Sequence, residues 1–115
     1  WSSNCFRCNT CALTAEQETA LKTRLGQAIT LVPGKSEQYL MLDFSQQCHL
    51  YFQGDGDKPA AFVEVMLYGA APDSAYDALT GAITRILSEE LGIPANRIYV
   101  EYQETSHWGW NGSNF

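Results

Sequence analysis

Two strand–helix–strand segments follow one another in this chain, and this repetition constrains the fold more than any other sequence feature. Apolar residues recur at three- and four-residue steps in each half, which predicts one amphipathic helix per half. After the first helix Pro33 precedes Tyr39 by six residues, and after the second Pro94 precedes Tyr99 by five. We therefore predict a duplicated βαβ unit, with parallel strands and a right-handed crossover in each half.

Capping and breaking residues set the predicted bounds of the elements. The first helix begins at the capping box of Thr14 and Gln17 and stops before Pro33. The second begins at Asp73, whose side chain can cap it, and ends at Gly92. Alternating or β-rich stretches predict strands at residues 39–44, 48–53, 60–69 and 98–103. The first two of these are expected to pair in antiparallel fashion across a polar turn.

The strand at 61–68 shows why such a sheet needs a partner. Its alternate residues are apolar on both sides, because Phe62, Met66 and Tyr68 lie opposite a row of valines and a leucine. Two helices can cover only one face of a four-stranded mixed sheet, and large apolar faces are normally covered. We expect one α+β domain over residues 1–115, in an obligate oligomer that buries the second sheet face.

Charge and hydropathy exclude two classes of partner. The formal net charge of −6 and the scattered Lys and Arg residues argue against nucleic acid, which requires a basic surface. No apolar run reaches the roughly 20 residues of a membrane span, and the first residues lack the features of a signal peptide. We expect a cytoplasmic protein, with secretion that needs no signal peptide as the alternative.

Four segments together resemble the macrophage migration inhibitory factor (MIF) family of the tautomerase superfamily. They are FRCNTC (6–11), PGKSEQYLML (33–42), GIPANRIYV (92–100) and the tail NRIYVEYQETSHWGWNGSNF (96–115). The resemblance implies a homotrimer of duplicated βαβ subunits. It also implies cofactor-free keto–enol tautomerisation of phenylpyruvate-like acids, with an N-terminal proline amine as the base whose pKa is lowered in an apolar pocket.

The same resemblance assigns substrate-binding roles to six residues. Lys35 would bind the substrate carboxylate, and Glu101 stands where mammalian members carry asparagine. The full set that we expect around a pocket at the subunit boundary is Lys35, Tyr68, Tyr99, Glu101, Trp108 and Trp110. Tyr99 and Glu101 are predicted to share the sheet face opposite the helices.

Asn4 is the main departure from the family pattern. The ungapped match places it at the position of the catalytic proline, and the prolines of this sequence stand elsewhere. An amide is no base, so the Trp1 amine, Tyr99 and Glu101 are the remaining acid–base candidates. A further alternative is that the first residues are foreign to a natural chain that carries the proline. Two functions stay open: a phenylpyruvate-type tautomerase, and a non-catalytic cytokine-like or ligand-binding trimer with a small α-keto acid or a protein receptor as partner.

Cysteines recur at every third position in the opening segment WSSNCFRCNTC, which raises the alternative of a metal or redox site. Zinc knuckles need a tight turn between their thiolates, and nothing in this stretch supplies one. In a strand, Cys5 and Cys8 face opposite sides, and Cys5 and Cys11 lie about 20 Å apart. We therefore expect no metal site here, and no disulfide among these three residues while the strand is intact.

Overall fold

The computed structural model describes residues 3–115. Within that range the chain forms four long strands, two α-helices and a short C-terminal hairpin. In chain order the elements are β1 (Asn4–Asn9), α1 (Ala15–Ala28), β2 (Leu40–Ser45), β3 (Ala61–Tyr68), α2 (Asp73–Leu91), β4 (Ile98–Thr105), β5 (Gly109–Trp110) and β6 (Ser113–Asn114). Single 3₁₀ turns follow α1 and precede both β2 and β4.

The four long strands form one mixed sheet in the order β2-β1-β3-β4. β1 pairs with β2 in parallel and β3 pairs with β4 in parallel, while β1 and β3 meet in antiparallel register in the middle. Each half of the chain is therefore a βαβ unit, and the two units join along their first strands. The predicted duplication and the four-stranded mixed sheet are confirmed.

Both helices pack on one face of this sheet. The apolar core between them contains Phe6 and Val65 from the sheet and Leu25 and Ile83 from the helices, all at most 1 % exposed. On the other face the side chains of alternate strand residues are partly or largely exposed, with Met41 at 69 %. This one-sided cover confirms the predicted arrangement of layers, and it leaves the second face uncovered in the single chain.

Helix ends follow the predicted signals with one exception. The capping box is present: the Gln17 N–H donates to Thr14 Oγ1 at 3.1 Å, and the Thr14 N–H donates to Gln17 Oε1 at 2.9 Å. Gly92 ends α2 in the left-handed region, at φ 69°. Asp73 was wrongly predicted as a cap, because Pro72 occupies the N-cap in an extended conformation and Asp73 is the first helical residue.

The predicted strand at 48–53 is wrong. Residues 48–50 are irregular, and Phe52 forms only an isolated bridge with Asp55. A distant side chain explains the difference: the guanidinium of Arg97, buried beside the loop, donates hydrogen bonds to the carbonyl oxygens of Phe52, Asp55, Lys58 and Pro59. These bonds hold the segment as a compact loop, so β2 pairs with β1 alone. None of the helices described in residues 3–115 is long and apolar enough to cross a membrane.

Candidate functional site

A cavity of about 490 Å³ opens at the start of β1. Its walls come from the first residues of β1, from the turn that leads into β2 and from the C-terminal hairpin. They consist of Ser3, Asn4, Cys5, Gln38, Tyr39, Leu40, Met41, Trp108, Gly109 and Trp110. Three of the residues singled out in the sequence, Asn4, Trp108 and Trp110, therefore share one cavity.

The C-terminal hairpin brings the two tryptophans to this cavity. Asn111 and Gly112 form its two-residue turn, both with positive φ (53° and 90°), and this is the geometry that Asn-Gly pairs favour. The ring of Trp110 meets Tyr39 edge to face, with centroids 6.1 Å apart. The chain end closes back on the hairpin through a hydrogen bond from the Phe115 N–H to the Trp108 carbonyl oxygen.

Lys35 lies beside the cavity and does not form part of its wall. Its Nζ donates a hydrogen bond to the carbonyl oxygen of Tyr68 at 2.7 Å. The Tyr68 N–H in turn donates to the carbonyl oxygen of Ser3 at 3.1 Å. This chain of two hydrogen bonds places the ammonium next to the Ser3–Asn4 peptide, at the start of β1.

Burial lowers the pKa of Lys35 from its usual 10.5, because partial desolvation disfavours the charged ammonium. Among the described residues no carboxylate forms a salt bridge with it. An ammonium has three N–H donors, and the Tyr68 carbonyl oxygen takes one. Lys35 is therefore a cation with donors to offer an anionic ligand.

Asn4 is 1 % exposed and begins β1, where it pairs with Leu40 on one side and Leu67 on the other. Its backbone nitrogen is joined to Ser3 in a peptide bond, so it has no basic lone pair. Trp1, the other nitrogen considered as a base, lies outside the described residues. Cys5, the next residue in the cavity wall, has a pKa raised by burial and by the nearby Asp43, so its thiol stays protonated at neutral pH.

Tyr99 and Glu101 lie away from this cavity. In the sheet register Tyr99 pairs with Phe62 whereas Asn4 pairs with Leu67, five residues further along β3. At about 3.3 Å per residue the two sites differ by about 17 Å along the sheet. Tyr99 instead packs edge to face on Phe52, with ring centroids 5.3 Å apart. One chain therefore does not bring all the predicted site residues together.

The face assignment of these two residues is confirmed, because Tyr99 and Glu101 are exposed on the uncovered side of β4 while Val100 packs against the core. The Glu101 carboxylate accepts a hydrogen bond from Gln103 Nε2 at 2.7 Å. Tyr99 is 58 % exposed, which is unusual for a residue with so large an apolar ring. These two residues therefore lie on the uncovered face, separate from the cavity.

Sequence reasoning missed Tyr39 and Cys5 as cavity residues. Cys5 follows Asn4 directly, so the placement of Asn4 at the site was a signal that could have found it. Tyr39 was noticed only as the residue that opens a strand. Its place depends on the register of β1 against β2, in which Asn4 faces Leu40, and no sequence pattern fixes that register.

The family model for macrophage migration inhibitory factor matches residues 4–115, nearly the whole chain. The chain belongs to the macrophage migration inhibitory factor family. The family resemblance seen in the sequence is thereby confirmed. The family match begins at Asn4, the residue that opens β1 and lines the cavity.

Relatives of this MIF-family chain match it over most of their length. The macrophage migration inhibitory factor of Xenopus laevis is 29 % identical over 97 residues, which cover 83 % of this chain and 84 % of the relative. The crystal structure of Leishmania major MIF2 is 34 % identical, with a TM-score of 0.91 and coverage of 98 % and 97 %. The homologue from Prochlorococcus marinus is 28 % identical, with a TM-score of 0.85 and coverage of 96 % and 98 %.

Metal-ligating side chains do not converge in the described part of this MIF-family chain: no group of three among His, Cys, Asp and Glu is placed to hold an ion. Cys5 and Cys8 face opposite sides of β1, as the alternation predicted, with Cys8 2 % exposed in the core and Cys5 half-buried on the other face. Cys11 lies beyond the end of the strand. The cavity and its border thus combine the Lys35 ammonium, aromatic rings, and the side chains of Asn4, Cys5 and Gln38.

Proposed function

We propose that this chain is an oligomeric binding protein for small aromatic carboxylates of the phenylpyruvate type, without the amine-based catalysis of the family. The observation that carries the proposal is the Lys35 ammonium, held by the Tyr68 carbonyl oxygen beside the Ser3–Asn4 peptide. It offers charge-assisted hydrogen bonds to a carboxylate, and these are among the stronger polar contacts available.

The aromatic wall supports the same class of ligand. Tyr39, Trp108 and Trp110 face the cavity, which at about 490 Å³ is large enough for a one-ring acid. Tyr39 and Trp110 pack edge to face, and a ligand ring in the cavity could make contacts of the same kind with them. A cation at one end and aromatic side chains at the other match a molecule with a carboxylate and a phenyl ring.

Asn4 supports binding over catalysis. Keto–enol conversion requires a base within hydrogen-bond reach of the carbon-bound proton. In this chain the nitrogen at the family's proline position belongs to a peptide bond, and the Asn4 side-chain amide does not accept protons at neutral pH. Cys5, the thiol in the same wall, stays protonated because burial raises its pKa. The residues that bind a substrate are retained, whereas the family's base is absent.

A homotrimer, implied by the family resemblance, would complete the pocket. Tyr99 and Glu101 lie about 17 and 10 Å from Asn4 along the sheet of one chain, by register and strand rise. A second copy can bring them to the cavity and cover the exposed side chains of the open face. In that arrangement Glu101 would add a carboxylate near Lys35 and favour ligands that carry a hydrogen-bond donor beside the acid group.

Calorimetric titration with phenylpyruvate tests the proposal. We expect saturable binding by the full chain and at least tenfold weaker binding of 2-phenylethanol, which keeps the ring but has no carboxylate. Enol formation, followed by ultraviolet absorbance in the same samples, should match the rate in buffer. Equal binding of both compounds would refute the carboxylate site, and turnover above buffer would refute the absence of catalysis.

A tautomerase that uses Lys35 as its base is the second candidate. The observation in its favour is the lowered pKa of Lys35, since a neutral amine in a partly desolvated site can accept a proton. This candidate predicts turnover that rises with pH as Lys35 loses its proton and that disappears in Lys35→Met. Turnover that survives this substitution would reject it.

A further inference from the structure

A second cavity, of about 250 Å³, lies at the other end of β1 from the Asn4 site. Cys11 and Cys48 both line it, together with the loop that follows β2. Neither residue belongs to a strand, and both are half-buried with free thiols. No sequence pattern pairs them, because 36 residues separate them and the residues around Cys48 predict a strand.

One backbone hydrogen bond fixes the distance between the two residues. The Cys48 N–H donates to the carbonyl oxygen of Thr10, the residue before Cys11, at 3.1 Å. With standard peptide dimensions the path from the Cys11 Cα through that bond to the Cys48 Cα is at most about 7 Å. Disulfides join Cα atoms about 4.4–6.8 Å apart. The hydrogen bond therefore limits the separation of the two Cα atoms to about the upper end of the range that a disulfide spans.

The neighbouring groups single out this pair from the third nearby cysteine. Cys8 is 2 % exposed, and burial together with the adjacent Cys11 and Cys48 raises its pKa to about 12, so it remains an unreactive thiol. The hydroxyl of Thr10 lies 3.7 Å from Cys11 Sγ and 3.2 Å from the Ala60 carbonyl oxygen, so its single proton can be donated to either acceptor.

We infer that Cys11 and Cys48 form a reversible disulfide when the protein meets a peroxide. One thiolate attacks a peroxide oxygen, the O–O bond breaks, and a sulfenic acid and hydroxide result. The second thiolate then displaces hydroxide from that sulfur, and the S–S bond forms. With the two protons from the thiols, one hydrogen peroxide yields two water molecules, while the two cysteines together lose two electrons.

The bridge would tie the end of β1 to the segment after β2. Between its ends lie α1 and β2, so it closes most of the first βαβ unit into one covalent loop. A loop of this length restricts the unfolded chain, and we expect oxidation to raise the Tm by roughly 10 °C. The first half of the fold would then be stabilised by oxidation and returned to its original stability by reduction.

Native full-length protein treated with hydrogen peroxide, followed by alkylation and non-reducing peptide mapping, tests this inference. We expect a peptide pair joined through Cys11 and Cys48, a mass decrease of about 2 Da per chain, and full reversal by dithiothreitol. Cys11→Ser and Cys48→Ser should each abolish the linked pair and the rise in Tm. Cys5→Ser, which removes a thiol in the other cavity, should retain both.

Three results would overturn the inference: four free thiols after peroxide treatment, a linked pair that includes Cys8, or a bridge between different chains. Circular dichroism of each serine variant establishes that it is folded. Should either variant fail to fold, blocking with iodoacetamide replaces it. Alkylation of native protein at Cys11 or Cys48 should then prevent the mass decrease, and a bridge formed after such blocking would refute the assignment.

Discussion

Replacing Arg97 by methionine should destabilise the fold through the loop that follows β2. The side chain is buried at the base of that loop, and its guanidinium donates four hydrogen bonds to carbonyl oxygens at 2.9–3.2 Å. It also lies over the ring of Phe52, 5.6 Å from the centroid. Methionine fills a similar length but offers no donor, so these oxygens lose their partner.

The magnitude follows from those four bonds. A hydrogen bond from a charged donor contributes about 1.5–3 kcal/mol, but carbonyl oxygens near the surface regain water when the donor is lost. We therefore expect the free energy of unfolding to fall by about 3 kcal/mol, well below the sum of the four. Arg97→Lys should lose most of the same amount, because an ammonium cannot match the planar fork of a guanidinium.

Urea unfolding followed by circular dichroism, at one fixed protein concentration, measures this change. Arg85→Met is the matched control, since Arg85 is exposed on α2, and it should change stability by less than about 0.5 kcal/mol. The fluorescence of the mutant should also change, because Phe52 contacts Tyr99 and loses its anchor. A loss below about 1 kcal/mol for Arg97→Met would refute the view that this side chain shapes the loop.

The remaining predictions concern the Asn4 cavity. Lys35→Met should weaken phenylpyruvate binding about 10-fold or more, because a charge-assisted hydrogen bond is lost. The control is Lys22→Met, since Lys22 is exposed on α1, and it should leave the dissociation constant unchanged in the same titration. Because the pKa of Lys35 is lowered, the side chain loses its charge as pH rises through a value below 10.5. Binding measured from pH 7 to 10 should therefore weaken with rising pH. A flat profile would contradict the contact between the ammonium and the ligand. Gly112 lies at φ 90°, so Gly112→Ala should strain the hairpin turn that carries Trp110. Binding should weaken several-fold, while the thermal unfolding temperature changes little. Unaltered affinity would exclude Trp110 from the ligand contact.

The sequence was most informative where local signals agree with the whole fold. The capping box of Thr14 and Gln17, the left-handed Gly92 and the alternation of β3 all describe short-range chemistry, and the structure contains each of them. The uncovered sheet face also followed from counting helices against strands. The family resemblance then pointed to Asn4, Trp108 and Trp110, which line the cavity, whereas Tyr99 and Glu101, from the same set, lie away from it.

Two of the differences between the predicted and the observed structure have long-range causes, whereas the one at Asp73 is local. The segment 48–53 has strand-like residues. The buried Arg97, about 40 positions later, donates hydrogen bonds to carbonyl oxygens of this segment and of the loop after it, so they are not available to a neighbouring strand. Pro72, and not Asp73, is the N-cap of α2, because the proline ring fixes the φ angle at this boundary and Asp73 becomes the first helical residue. Cys11 and Cys48 line the same cavity because β2 pairs with β1 in parallel. Neither segment specifies that pairing alone.

We propose that this chain binds an aromatic keto acid without converting it, because the nitrogen at Asn4 is part of a peptide bond. The most direct test of this proposal compares the keto–enol rate of phenylpyruvate with the full chain and with a variant that carries Asn4→Pro and begins at that residue. We expect a rate equal to buffer for the full chain and a gain of at least about 100-fold for the variant, the usual scale for a positioned base. Conversion by the full chain well above buffer would contradict it.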